Sequence, residues 1–200
     1  MVSHTSKERP PGAGRSSFDL IDAPKLFAEL GLQSGSILLD LGCGQGWYTF
    51  AASPAIGPEG WIYALDLWEE GINSVKERAA AGGYRNIQAL VADSSQHLPL
   101  ATGSVDVCLM ATVLHDLVEA HTAVGTLKEC ARVLKPGGTL AIVEFKKMAG
   151  PPGPPLHIRL APEEVAQLVT PYGFRPERDV EVGPYNYLIT FIKLVSSLQD

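Results

Sequence analysis

The sequence predicts an α/β fold built on a mostly parallel sheet with helices on both faces. Three observations carry that prediction. Short apolar runs such as SILLDL (36–41), WIYALDL (61–67) and VDVCLMA (105–111) alternate with helix-spaced segments. These runs lack the polar alternation of a half-exposed strand, so both of their faces are expected to be buried. Glycine pairs and prolines punctuate the pattern, as short βα and αβ connections require.

The elements follow in order. Residues 22–30 carry Leu26, Phe27 and Leu30 at helical spacing and stop at Gly31, a glycine suited to a left-handed cap. Residues 36–41 form the first strand, Gly42 to Gly46 a glycine loop, and 47–52 the start of the next helix. A strand over 61–67, a helix over 70–81 ending at Gly82–Gly83, and a strand over 87–92 complete one half. The second half reads as a strand over 105–111, a helix over 120–133 closed by Pro136 and Gly137–Gly138, and a strand over 139–145. A helix over 162–170 has proline and two glutamates in its first turn, which suit the positive end of the dipole. Residues 180–182 and 187–194 read as the last two strands. Too few residues join them for a parallel crossover, so they are expected to pair as an antiparallel hairpin at one edge.

The 200 residues, 46% hydrophobic and 19% charged, fit one domain with a sizeable core. Residues 1–17 are polar and lack the apolar segment of a signal peptide. They are expected to be a flexible tail before a single domain over 18–200, in a cytoplasmic protein. The formal charge of −6 disfavours a broad nucleic-acid surface. No apolar run approaches the ~20 residues that span a bilayer. Cys43, Cys108 and Cys130 match no disulfide or zinc spacing. They are small buried residues or, on a sharper reading, a thiolate trio for a metalloid such as arsenite.

The chemistry concentrates in Asp40-Leu41-Gly42-Cys43-Gly44-Gln45-Gly46, which follows a buried strand and opens a helix. Glycines there permit a tight turn and close ligand approach, at the edge of a parallel sheet where ligands bind. Asp66 lies 20 residues after Gly46 at the end of the second strand, where a carboxylate can accept from both hydroxyls of a ribose. The G-x-G-x-G spacing departs from the G-x-G-x-x-G of dinucleotide sites. Asp40, just ahead of the loop, suits a cationic ligand better than a pyrophosphate. It either contacts that ligand or bonds the loop's own amides.

These residues resemble the class I S-adenosylmethionine-dependent methyltransferases. LLDLGCGQG (38–46) matches the family's first motif and YALDLWEE (63–70) its ribose-binding motif. VADSSQHLPL (91–100) is similar to its adenine-contacting segment, and SVDVCLMATVLHDL (104–117) and RVLKPGGTLAIVEF (132–145) to its fourth- and fifth-strand motifs. The likeness runs from Phe18 to the C-terminus and is nearest in flavour to the ubiquinone/menaquinone and arsenite enzymes. It implies a Rossmann-like doubly wound sheet of seven strands, order 3-2-1-4-5-7-6, with the last strand antiparallel. It also implies S-adenosylmethionine as cofactor and roles for single residues. Gly42, Gly44 and the Cys43 backbone would line the methionine part, with Asp40 nearby and Ala111 and Thr112 beside its amine. Asp66 would hold the ribose, Leu67 and Trp68 would flank the adenine, and Asp93 and Ser94 would bond it.

Methyl transfer from a sulfonium is an in-line displacement that mainly needs alignment and a dry cavity. A base is needed only where the acceptor must lose a proton. His115 is placed to serve as that base with Asp116 orienting it, or else it only packs. His157 and Arg159, with Lys146 or Lys147, are candidates to hold an anionic group of a small-molecule acceptor. The segments 18–27 and 146–159 are candidate lids. The other readings are a NAD-type oxidoreductase on a related fold and a non-catalytic cofactor-binding protein. Tyr48 and Thr49 stand where the oxidoreductase would need its third glycine.

Overall fold

The first strand is apolar on both faces, and it lies at the centre of the protein. The computed structural model describes residues 12–195. Its elements are α1 (Ala23–Leu30), β1 (Ile37–Leu41), α2 (Trp47–Ile56), β2 (Trp61–Asp66), α3 (Glu69–Ala81), β3 (Ile87–Val91) and β4 (Val105–Ala111). They continue with α4 (Leu114–Glu119), α5 (Ala123–Val133), β5 (Leu134–Phe145), α6 (Pro162–Val169), β6 (Phe174–Glu181) and β7 (Asn186–Lys193). Single 3-10 turns precede α1 and follow α6. The seven strands form one sheet in the order β3-β2-β1-β4-β5-β7-β6. β1 to β5 pair in parallel, and β7 runs antiparallel to both β5 and β6. The sheet order and the antiparallel last strand are those the sequence implied.

The sheet's two faces carry separate cores. One joins Leu39, Leu41, Met110, Leu140 and Ile142 to Leu127 and Val133 of α5 and Val165 of α6. The other joins Leu38, Ile62, Leu109 and Val143 to α1 and α2 through Leu26, Leu30, Ala52 and Ile56. Helices on both faces explain why these strands show no polar alternation.

Three elements differ from their predicted extents. The helix expected over 120–133 begins at Ala123 as α5, and a further helix, α4, precedes it. Between them His121 adopts φ 58°, the Thr122 N–H donates to the Leu117 carbonyl at 2.8 Å and the His121 N–H to Val118 at 3.1 Å. That is a Schellman closure with histidine where glycine is usual, so composition gave no stop signal. β5 begins at Leu134 rather than 139, because the Gly137–Gly138 turn is absorbed as an irregularity opposite Val105 and Val107. β6 is eight residues long and mostly exposed. Its charges and Pro176 are those of a protected edge strand and leave no apolar run to read. Among the described residues no helix is long and apolar enough to cross a membrane.

Candidate functional site

β1, β2 and β4 end side by side, and a cavity of about 240 Å³ opens beyond their carboxyl ends. Its floor is the glycine loop. Gly42, Gly44 and Gly46 all hold φ between 55° and 78°, a region that L side chains adopt only with strain. A Cβ on Gly42 would lie 2.8 Å from Val113 and one on Gly46 2.9 Å from Val75. The Gly42 and Cys43 amides both donate to the Leu65 carbonyl, at 2.7 and 3.1 Å, which ties the loop to the end of β2.

Asp66 closes the same turn. One carboxylate oxygen accepts the Gly44 N–H and the other the Trp68 N–H, both at 2.8 Å. A carboxylate has about four lone-pair sites, so each oxygen retains capacity for a ligand hydroxyl. Leu67 is 47% exposed and lines the cavity. Trp68 does not line it: the indole is buried, and a Cβ on Gly71 would meet it at 2.5 Å. The expected aromatic wall is thus a core residue, because Trp68 caps α3 and turns inward.

Asp93, Ser94 and Thr112 border the cavity as well. One Asp93 oxygen accepts the Ser95 amide and hydroxyl, at 2.9 and 2.7 Å, so this side chain also shapes its own turn. The Ser94 hydroxyl pairs with that of Thr126 at 3.0 Å. Thr112 sits at φ 55° with its amide on the Val143 carbonyl. Ala111 and Cys43 do not reach this cavity; Ala111 packs in the second core and the Cys43 side chain in a third.

Asp40 lies one layer below, 1% exposed. Of its two readings the geometry gives neither as stated. The carboxylate accepts from the Thr49 hydroxyl of α2 at 2.5 Å. Burial, against the opposing Thr49 bond and with the charge of Asp66 adding, lifts its pKa to about 7.

His115 is 5% exposed and is not among the residues lining the cavity. Asp116 is, so the expected order of the pair is reversed: the carboxylate faces the cavity and the imidazole stands behind it. His115 Nδ1 donates to the two oxygens of Glu144, at 2.8 and 3.0 Å. Burial alone would lower the histidine's pKa, but the bond to Glu144 and its charge raise it above the ordinary value. Glu144 is fully buried on β5 and also takes the His115 and Phe145 amides. The sequence reading missed it, although a glutamate ending the apolar run TLAIV was the available signal.

Arg159 is 2% exposed and its guanidinium donates to the carbonyls of Lys146, Met148, Gly150, Pro152 and Pro154. It is the internal clamp of the loop after β5, which leaves it no reach toward an anionic acceptor. Lys146 and Lys147 pair with Glu181 and Glu164 at 2.8 and 2.7 Å. His157 is exposed, and no residue of 146–159 lines the cavity. The cover instead comes from residues expected to be tail. Gly12, Ala13, Gly14 and Arg15 lie along the cavity, and the buried Ser17 hydroxyl bonds Tyr48 at 2.8 Å and Thr112 at 3.1 Å. The rest of that tail lies outside the described residues. The three cysteines do not converge: Cys108 and Cys130 are 3.8 Å apart in one core, and Cys43 packs in another.

The residues fit a cationic nucleoside ligand. Among the described residues the charged groups lining the cavity are Asp66, Asp93 and Asp116 against Arg15, a net negative wall suited to a sulfonium and an ammonium. The Methyltransferase domain family matches residues 39–142, more than half of the chain. A demethylmenaquinone methyltransferase of Lactococcus lactis is 34% identical over 120 residues, covering 60% of this chain and 46% of that protein. An arsenite methyltransferase of Halobacterium salinarum is 32% identical over 126 residues, 63% of this chain and 31% of the other. The chain thus spans about half or less of these two relatives' length. A crystal structure of a SAM-dependent methyltransferase from Aquifex aeolicus superposes with a TM-score of 0.81 at 33% identity, covering 92% of this chain and 94% of that one. On the matched family, the near-complete superposition and the glycine loop with its acid partner, this chain belongs to the S-adenosylmethionine-dependent methyltransferases.

Proposed function

We propose that the protein transfers a methyl group from S-adenosylmethionine to a small molecule by in-line displacement. The observation that carries the reading is the cavity itself. Gly42 and Gly44 bring backbone to its floor, Asp66 keeps acceptor capacity for two ribose hydroxyls, and Asp93 and Ser94 border the end where a base would lie. The cofactor, when bound, supplies a methyl group already activated on a sulfonium. The protein's part is to align the two reactants and exclude water. Thr112 and the segment over residues 12–15 also line the pocket. Among the described residues the one cation lining it is Arg15. Two of the relatives are named for a quinone precursor and for arsenite, so small acceptors of both kinds belong in the first screen.

Calorimetric titration with S-adenosylmethionine, beside NADH and an Asp66→Ala variant, tests the reading. Asp66→Ala strands the Gly44 and Trp68 amides as well as any ribose hydroxyl. It is expected to weaken binding by about 1–3 kcal/mol, the cost of unpaired polar partners. Tighter binding of NADH than of S-adenosylmethionine would point to the oxidoreductase reading instead.

A further inference from the structure

A carboxylate at the cavity wall is backed by a buried imidazole, which is backed by a second carboxylate with no exposure at all. Asp116 lines the cavity, His115 Nε2 lies 3.6 Å from Asp116 Oδ1, and His115 Nδ1 lies 2.8 Å from Glu144 Oε2. The three groups come from two elements, α4 and β5. Fixing Nδ1–H on Glu144 aims Nε2 at Asp116. Burying the Glu144 carboxylate beside an imidazole is costly unless the two are paired, as they are here.

We propose that Asp116 receives a proton from the methyl acceptor, and that His115, held in place by Glu144, is the positioning residue behind it. The inference rests on the methyltransferase reading and narrows the acceptor to a proton-bearing one: a phenol, an enol or a carbon acid. The acceptor's O–H or C–H bond breaks toward Asp116, and its electron pair forms the bond to the methyl carbon. The carbon–sulfur pair stays on sulfur, and the proton leaves Asp116 for solvent after release. Charge balances at the site, because the sulfonium and the carboxylate are neutralised together.

The groups facing Asp116 suit a proton acceptor. Burial, with the charges of Glu144 and Glu119, raises its pKa above the usual carboxylate value, against His115 and Arg15. A nearby sulfonium would hold the carboxylate ionised, and its loss would release that hold. Gly12 also closes on this group: a Cβ there would lie 2.7 Å from Asp116 Oδ2.

S-adenosylmethionine and S-adenosylhomocysteine differ by the methyl group and its positive charge, so comparing their affinities isolates whatever faces the sulfur. Calorimetry downward from pH 8 is expected to show the ratio of affinities shifting about tenfold in favour of the homocysteine form once Asp116 protonates. Asp116→Asn should flatten that dependence and bring the pH 8 ratio to the acid value. Glu144→Gln and His115→Gln should each alter that dependence, because the imidazole behind Asp116 loses its anchor or is removed. Glu144→Asp should restore it. The His115→Gln variant leaves the Glu144 bond to the Phe145 amide in place, so it reports even if Glu144→Gln fails to fold. A wild-type ratio independent of pH, or one that Asp116→Asn leaves unchanged, overturns the inference while sparing the cofactor assignment. Binding of neither compound overturns both.

Discussion

Replacement of Arg159 by alanine is expected to lower stability by about 3–5 kcal/mol, the range for stripping a buried charge from its partners. Five backbone carbonyls between Lys146 and Pro154 converge on this one guanidinium, which also lies 5.7 Å from the Phe145 ring centre. The loop is rich in proline and glycine and has few amides with which to satisfy those carbonyls itself. Arg159→Lys should recover less than half of the loss, because an ammonium offers three donors without the planar fork. Urea denaturation of the three proteins measures this directly. A substrate-binding arginine would behave oppositely, with stability unchanged and only acceptor affinity reduced.

Asp40→Asn is expected to stabilise the protein at pH 8. The carboxyl is fully buried and its folded-state pKa is about 7, against an ordinary 3.8. The folded state therefore holds the proton more tightly than the unfolded state does. The associated stability is complete below the unfolded value and is lost as pH rises through about 7. The ceiling on that loss is ~4 kcal/mol, and the amide variant avoids it while its oxygen still accepts from Thr49. The stability gap between variant and wild type should therefore widen from pH 5 to pH 8 in urea titrations. A constant gap would mean that Asp40 does not titrate within the fold. Such a cost, held under the glycine loop, is the kind of local stability loss that binding sites carry.

Much of the architecture was legible in the chain because its signals are local. Apolar strands bounded by glycine, the Gly31 cap after α1 and the glycine loop each act within a few residues. The acid at Asp66 stands one βαβ unit from the loop, a separation set by a helix and a strand rather than by the rest of the protein. β6 and α4 were not legible, since an edge strand needs no apolar face and the six residues of α4 are too few to show a helical period.

The site divides the same way. By itself the sequence determined the loop, its acid partner and the sheet that presents them, because each is a short-range consequence of residue type and spacing. Only the tertiary structure decided which charged groups face the cavity. Arg159 was claimed by carbonyls 5 to 13 residues away, His115 by Glu144 across 29 residues, and Asp116 was left at the wall. A charged side chain near a pocket takes whichever partner desolvation makes most favourable, and that partner is chosen by packing between distant segments.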